Sequence, residues 1–194
     1  MHSELENHHK HKTPVRHRYS RWILDLIHSE GWIIMDAEVP LIDKKAGIKT
    51  RADAVAYSPK DNRVVLIEYK TGHARCYDRR LFGPSLEMKH GRPVVHTMRA
   101  RTHLQTAWNW TVFKRNTGIQ EVSAVVIRVN DTLGRAQVEH IWGWAQDNGD
   151  HIVDRVCSFL ETKRAVQRDR VAAAFQKTTT DTKSTPRNEL SYAL

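Results

Sequence analysis

The segment 47–72, GIKTRADAVAYSPKDNRVVLIEYKTG, decides the central part of the fold. Residues 49–57 alternate charged or bulky side chains with three alanines, which is typical of a β-strand. Residues 58–62 are a cluster of turn formers, and the run 64–70 that follows is rich in β-branched side chains. The segment therefore predicts a β-hairpin.

Three polar side chains of this hairpin suggest a chemical site. Side chains alternate faces along a strand, so Glu68 and Lys70 must point one way while Ile67 and Tyr69 point the other. Asp53 is on the partner strand, and a suitable register brings it to Glu68 and Lys70. Two neighbouring carboxylates repel each other unless a cation lies between them, and Mg²⁺ prefers oxygen ligands. A lysine beside such a cation can orient or deprotonate a water, or offset charge on a phosphate.

The order of motifs along residues 14–160 resembles the PD-(D/E)XK nucleases, in particular their RecB-type and lambda-exonuclease-like members. The motifs are, in order, Ala37-Glu38-Val39-Pro40-Leu41, Gly47, Asp53, Glu68-Tyr69-Lys70-Thr71-Gly72 and Gln105. The resemblance implies an α/β fold with a restriction-endonuclease-like core, in which a central mixed β-sheet of about five strands is flanked by α-helices.

The resemblance also implies roles for individual residues. Asp53, Glu68 and the Tyr69 carbonyl would hold one or two Mg²⁺ or Mn²⁺ ions, Lys70 would poise the attacking water, and Gln105 would support them. The chain departs from the family pattern four residues after Gln105, where the usual tyrosine is replaced by asparagine between two tryptophans. We expect these tryptophans, Trp108 and Trp110, to pack in the core.

A residue of the first predicted helix is a further candidate ligand, because family members often contribute a Glu or His from that helix. The helix is predicted from Pro14 to just before Gly31. His17 and His28 fall on the face opposite its apolar stripe, and Asp25 and Glu30 remain open alternatives. Glu38, on the next predicted strand, is another candidate whose direction depends on the register.

Basic residues around the predicted site are candidates for contacts with DNA. Residues 73–97 form a long connection directly after the Glu68-Tyr69-Lys70 strand, and long connections are often functional. The predicted phosphate-binding residues are Arg75, Arg79, Arg80, Lys89, Arg92 and, on the following helix at 97–115, Arg101. A second hairpin, at 122–129 and 137–142, and a final helix from about Asp150 complete the predicted domain.

The composition indicates one basic domain with polar tails. We expect a disordered histidine-rich tail at 1–13, the nuclease domain at 14–176 and a disordered tail at 177–194. A net charge of +9 and a pI near 9.8 favour a polyanionic partner. The absence of a bilayer-length apolar run or a signal-peptide core predicts a soluble intracellular protein with no membrane partner. The oligomeric state is not indicated.

The resemblance implies a metal-dependent DNA nuclease, with exonuclease action favoured, in recombination, repair or replication. The alternatives are a structure-specific endonuclease or resolvase, and a non-catalytic nucleic-acid-binding module on the same fold. The second alternative does not explain the acidic pair, because two acids without a cation repel phosphate.

Overall fold

The computed structural model describes residues 1–44, 46–71, 77–78, 86–87, 93–94 and 97–181, with side chains for all of these except 86–87, 93–94 and 173–181. The chain divides into two compact units, Met1–Arg155 and Val156–Leu194. The elements are, in chain order, α1 (His2–His11), α2 (Arg18–Ser29), β1 (Ile33–Asp43), β2 (Ile48–Ser58), β3 (Arg63–Lys70), β4 (Leu86–Glu87), β5 (Pro93–Val94), α3 (Met98–Thr117), β6 (Val122–Asn130), β7 (Arg135–His140) and α4 (Trp142–Asp181).

A five-stranded mixed sheet organises the first unit. Its strand order is β1-β2-β3-β6-β7. Strands β3 and β6 run parallel, with α3 in the connection between them, and the other neighbours run antiparallel. Strands β4 and β5 form a separate antiparallel pair of two residues each. The prediction of an α/β fold with a central mixed sheet flanked by helices is confirmed.

A hydrophobic core lies between one face of this sheet and the helices α1 and α2. Ile67 and Tyr69 of β3 point into it, as the alternation of the strand predicted, and so does Leu5 of α1. The other buried members are Ile23, Leu24, Ile27, Trp32, Ala54, Ala56, Val65, Val125, Ile127, Val129 and Ala136.

Helix α3 covers the opposite face of the sheet, which carries Glu68 and Lys70. The hydroxyl of Thr97 caps its first turn by accepting from the Ala100 N–H. Trp108 and Trp110 are both buried, as predicted, and the Trp110 indole donates to the Val122 carbonyl at 2.9 Å. This packing places one face of α3 directly over the predicted site.

The N-terminal segment is helical where the sequence predicted a disordered tail. Leu5 of α1 is 1% exposed. The Glu4 carboxylate accepts from the backbone N–H groups of Arg16 and His17 and from the Ser20 hydroxyl at the start of α2. One buried leucine and one carboxylate that binds the start of α2 therefore order a segment whose average composition is polar.

Other predicted boundaries also shift. Helix α2 begins at Arg18 rather than Pro14, because the His17 side chain caps it. Helix α4 begins at Trp142 rather than near Asp150 and continues to Asp181, past the predicted start of the C-terminal tail, whereas residues 182–194 lie outside the described part. Within the described ranges, no helix has the length and apolar character needed to cross a bilayer.

Candidate functional site

The site forms where strands β2 and β3 separate. Their antiparallel pairing begins at Ser58–Arg63 and ends at Ala54–Ile67. Strand β2 nevertheless stays paired with β1 as far as its first residue, Ile48. We call the gap between residues 51–53 of β2 and residues 68–70 of β3 the β2–β3 fork. Backbone groups that would have joined the two strands are free to bind side chains there.

Three carboxylates line up across three adjacent strands at the fork. The β1–β2 pairs on either side of Glu38 place it opposite Asp53. Extending the β2–β3 register by one residue places Asp53 level with Glu68. Glu38 has a φ of +56°, a conformation that strains a side chain other than glycine by roughly 1 kcal/mol. Like charges opposite each other destabilise a sheet, and here Arg51 pairs with Glu38 at 3.0 Å while Lys70 pairs with Glu68 at 2.6 Å.

Glu68 is the most buried of the three acids, at 2% exposure. Its Oε1 accepts from the Lys70 Nζ at 2.6 Å and from the Gln105 Nε2 at 2.7 Å. Its Oε2 is buried and has no hydrogen-bond partner among the described residues. Burial, and next the charge of Asp53, raise the pKa of Glu68 to about 7 against the opposing charge of Lys70. One oxygen of the Glu68 carboxylate is therefore bound by Lys70 and Gln105, and the other is buried without a hydrogen-bond partner among the described residues.

Asp53 connects the fork to helix α1. Its Oδ2 accepts from the Tyr69 N–H at 2.7 Å, and its Oδ1 lies 3.3 Å from the His2 Nδ1. The N–H and carbonyl of one strand residue point to the same edge, so the Tyr69 carbonyl also faces the fork. The hydrogen bond with Asp53 is the main cause that raises the pKa of His2, against the effect of burial.

The donor set around the fork fits a divalent cation. His2, Glu38 and Asp53 offer ligand atoms that all lie within 4.8 Å of one another. Glu68 follows on the other side of Asp53 in the strand register, and its Oε2 has no partner among the residues that the structure describes. Carboxylate oxygens and a backbone carbonyl suit Mg²⁺ or Mn²⁺, whereas the imidazole of His2 is a ligand more typical of transition metals. The structure thus brings together Asp53, Glu68, the Tyr69 carbonyl, Lys70 and Gln105, which the sequence analysis selected.

His2 is the residue of the site that the sequence analysis missed. It lies in the segment that was predicted to be disordered, and the only sign of its placement was the single apolar residue Leu5 on the same helix. The candidates from the first predicted helix, namely His17, Asp25, His28 and Glu30, are all exposed and do not belong to the cluster of His2, Glu38 and Asp53. Glu38, whose direction was left open, faces the site.

The predicted DNA-binding residues are only partly described. Arg75, Arg79, Arg80, Lys89 and Arg92 lie outside the described residues. Arg101 is exposed on α3, one turn before Gln105.

Arg128 of β6 was not predicted. It is the register neighbour of Lys70, and its guanidinium lies 4.6 Å from the centre of the Tyr77 ring. The sequence feature that could have identified Arg128 is its position as a charged residue within the apolar run of β6. Arg101, Lys70 and Arg128 thus present positive charge on the side of the sheet that α3 covers.

A second polar cluster lies on the same face, around Glu139 of β7. The carboxylate is paired with Arg99 of α3 and lies 3.0 Å from the His103 Nε2, while the Tyr77 hydroxyl is 3.5 Å away. Burial opposes ionisation of Glu139, but contacts with His103 and Arg99 outweigh it and lower the pKa of Glu139 to about 2. This cluster joins α3 to the far edge of the sheet.

The sequence matches no protein-family model, and a search of curated proteins finds no significant similarity. The fold and the site show an α/β protein with an acidic fork beside a lysine. Its assignment to the PD-(D/E)XK nucleases is a proposal, supported by motif order and by the geometry of the fork.

Proposed function

We propose that this protein is a metal-dependent DNA nuclease of the PD-(D/E)XK type, which hydrolyses phosphodiester bonds. The observation that carries the proposal is the row of Glu38, Asp53 and Glu68 across the fork, with the Glu68 Oε2 buried and without a hydrogen-bond partner in the described part of the chain. An acidic row of this kind repels nucleic acid unless a cation neutralises it. A module that only binds DNA would gain nothing from it.

The ligand set in this proposal has two parts. The first part consists of Asp53, Glu68 and the Tyr69 carbonyl. The second part lies on the other side of Asp53 and consists of Glu38 and His2. When bound, the cation would supply Lewis-acid stabilisation of phosphate charge and activation of water.

Lys70 and Gln105 complete the chemistry. The Lys70 side chain is 28% exposed, so its ammonium can reach a substrate phosphate while it stays in contact with Glu68. Its positive charge can offset charge that develops on the scissile phosphate. Gln105 donates to Glu68 and lies 3.4 Å from the Lys70 Nζ through its Oε1, so it holds the acid and the lysine in a fixed relation.

Charge and surface position favour DNA as the substrate. The chain carries a net charge of +9. Arg101 and Arg128 lie beside the site on α3 and β6 and are suited to bind the phosphates on either side of the scissile bond. By resemblance, exonuclease action in recombination, repair or replication is favoured, with a structure-specific endonuclease or resolvase as the variant.

Digestion of end-labelled linear DNA and covalently closed circular DNA, with Mg²⁺, Mn²⁺ or EDTA, tests the proposal. Asp53→Asn is the test variant, and Asp25→Asn is the matched control because Asp25 is an exposed acid of α2 outside the cluster. We expect metal-dependent loss of linear DNA by wild type and the control, but not by Asp53→Asn. Cutting of circles would indicate an endonuclease, and binding without cleavage under every condition would contradict the proposal.

A further inference from the structure

Helix α3 contacts both arms of the β2–β3 fork with side chains one turn apart. Gln105 donates to Glu68 on the β3 arm at 2.7 Å. Asn109 is 1% exposed, and its Nδ2 donates to the Arg51 carbonyl on the β2 arm at 3.0 Å. The Thr50 hydroxyl donates to the Asn109 Oδ1 at 2.9 Å, so the amide is held at both ends.

The contact with Arg51 falls where the strand pairing has ended. Register pairing between β2 and β3 does not extend beyond Ala54, so Arg51 has no register partner on β3. The Asn109 amide donates to the Arg51 carbonyl instead, and loss of that hydrogen bond would destabilise this conformation. Because Arg51 is two residues from Asp53, the bond ties the strand that carries Asp53 to the helix that holds Glu68.

We propose that Asn109 is a positioning residue which, together with Gln105, sets the separation of Asp53 and Glu68 and so tunes the site for a small divalent cation. The inference rests on the proposed function, because it assigns these acids to a cation. Mg²⁺ requires near-octahedral ligands at short distances, whereas Ca²⁺ accepts longer and more variable ones. A looser fork should therefore weaken Mg²⁺ binding more than Ca²⁺ binding.

Asn109→Ala is the principal test, with Trp110→Phe as the matched control. Both substitutions remove a side-chain N–H bond from α3 to a strand carbonyl, but Trp110 donates to Val122 of β6 and not to the fork. The affinities for Mg²⁺ and Ca²⁺ are measured without DNA by the metal-dependent rise in unfolding temperature. Cleavage is then followed at saturating Mg²⁺ to separate kcat from KM.

Loss of a residue that supports metal ligands typically weakens metal affinity roughly 10- to 100-fold, and we expect a loss of that order for Mg²⁺ in Asn109→Ala, with a smaller loss for Ca²⁺. The KM for DNA should change little. Trp110→Phe should unfold at a lower temperature but bind Mg²⁺ as wild type does.

Thr50→Val gives an independent test, since it keeps the bond to Arg51 and loses only the hydroxyl that holds the amide. It should weaken Mg²⁺ binding by roughly 2- to 10-fold, the usual effect of one hydrogen bond. If wild type binds Mg²⁺ and both fork variants match Trp110→Phe in affinity, this inference is wrong while the proposed function stands. If wild type binds neither cation, both are overturned.

Discussion

The buried carboxyl of Glu68 should make the cation-free protein less stable as the pH rises, and Glu68→Gln should remove that effect. The pKa of Glu68 is about 7, against an ordinary value of 4.5. Between these values the folded protein retains a proton that the unfolded chain has released, so stability falls as pH rises through this window. At about 1.4 kcal/mol for each pKa unit, this difference corresponds to about 3 kcal/mol at pH 8.

Urea unfolding of wild type and Glu68→Gln in EDTA, from pH 4.5 to pH 8, measures the effect. The free energy of unfolding of the variant, relative to wild type, should rise by about 3 kcal/mol across this range. Asp25→Asn should show no such trend, because Asp25 is exposed. Saturating Mg²⁺ should stabilise wild type, by about 2.7 kcal/mol at 100 times its Kd, and should stabilise the variant less. A relative stability that does not depend on pH would refute the reasoning.

Three further substitutions test other parts of the site. Lys70→Ala should lower the single-turnover cleavage rate by about 10²- to 10⁴-fold while DNA affinity changes little, and a loss confined to affinity would contradict its role. His2→Ala should weaken Mn²⁺ binding about tenfold in a calorimetric titration, whereas unchanged affinity would show that the imidazole is not a ligand. Glu139 has a pKa of about 2, so its ionised form stabilises the fold above its unfolded pKa near 4.5, and that contribution is lost as the pH falls toward 2. Glu139→Gln should therefore lose less stability on acidification than wild type does. Identical acid-unfolding curves for the two proteins would contradict this assignment.

The sheet and the centre of the site were predictable because they depend on local patterns. Alternation along β3 assigned Glu68 and Lys70 to one face and Ile67 and Tyr69 to the core, and the structure confirms both faces. The hairpin signal joined the strand of Asp53 to β3, and that pairing is present. Strand alternation and turn residues depend on only a few neighbouring residues, so the sequence alone predicts the strands and the hairpin.

The rest of the site depends on contacts between distant parts of the chain. His2 reaches Asp53 because Leu5 is buried against the sheet and Glu4 binds the backbone just before α2, and neither contact leaves a periodic signal in a polar segment. The fork depends on the point where β2 leaves β3, which composition does not encode. In the sequence, Asn109 is visible only as a departure from a family motif. Its hydrogen bond to Arg51 forms because α3 lies over the fork.

The most direct test of the central claim is a calorimetric titration of Mn²⁺ into wild type and Asp53→Asn in the absence of DNA, with Asp25→Asn as the control. We expect at least one binding event in wild type and the control, and its loss or severe weakening in Asp53→Asn. No binding by wild type, or equal affinity in all three proteins, would contradict the assignment of this acidic fork to a metal-dependent nuclease.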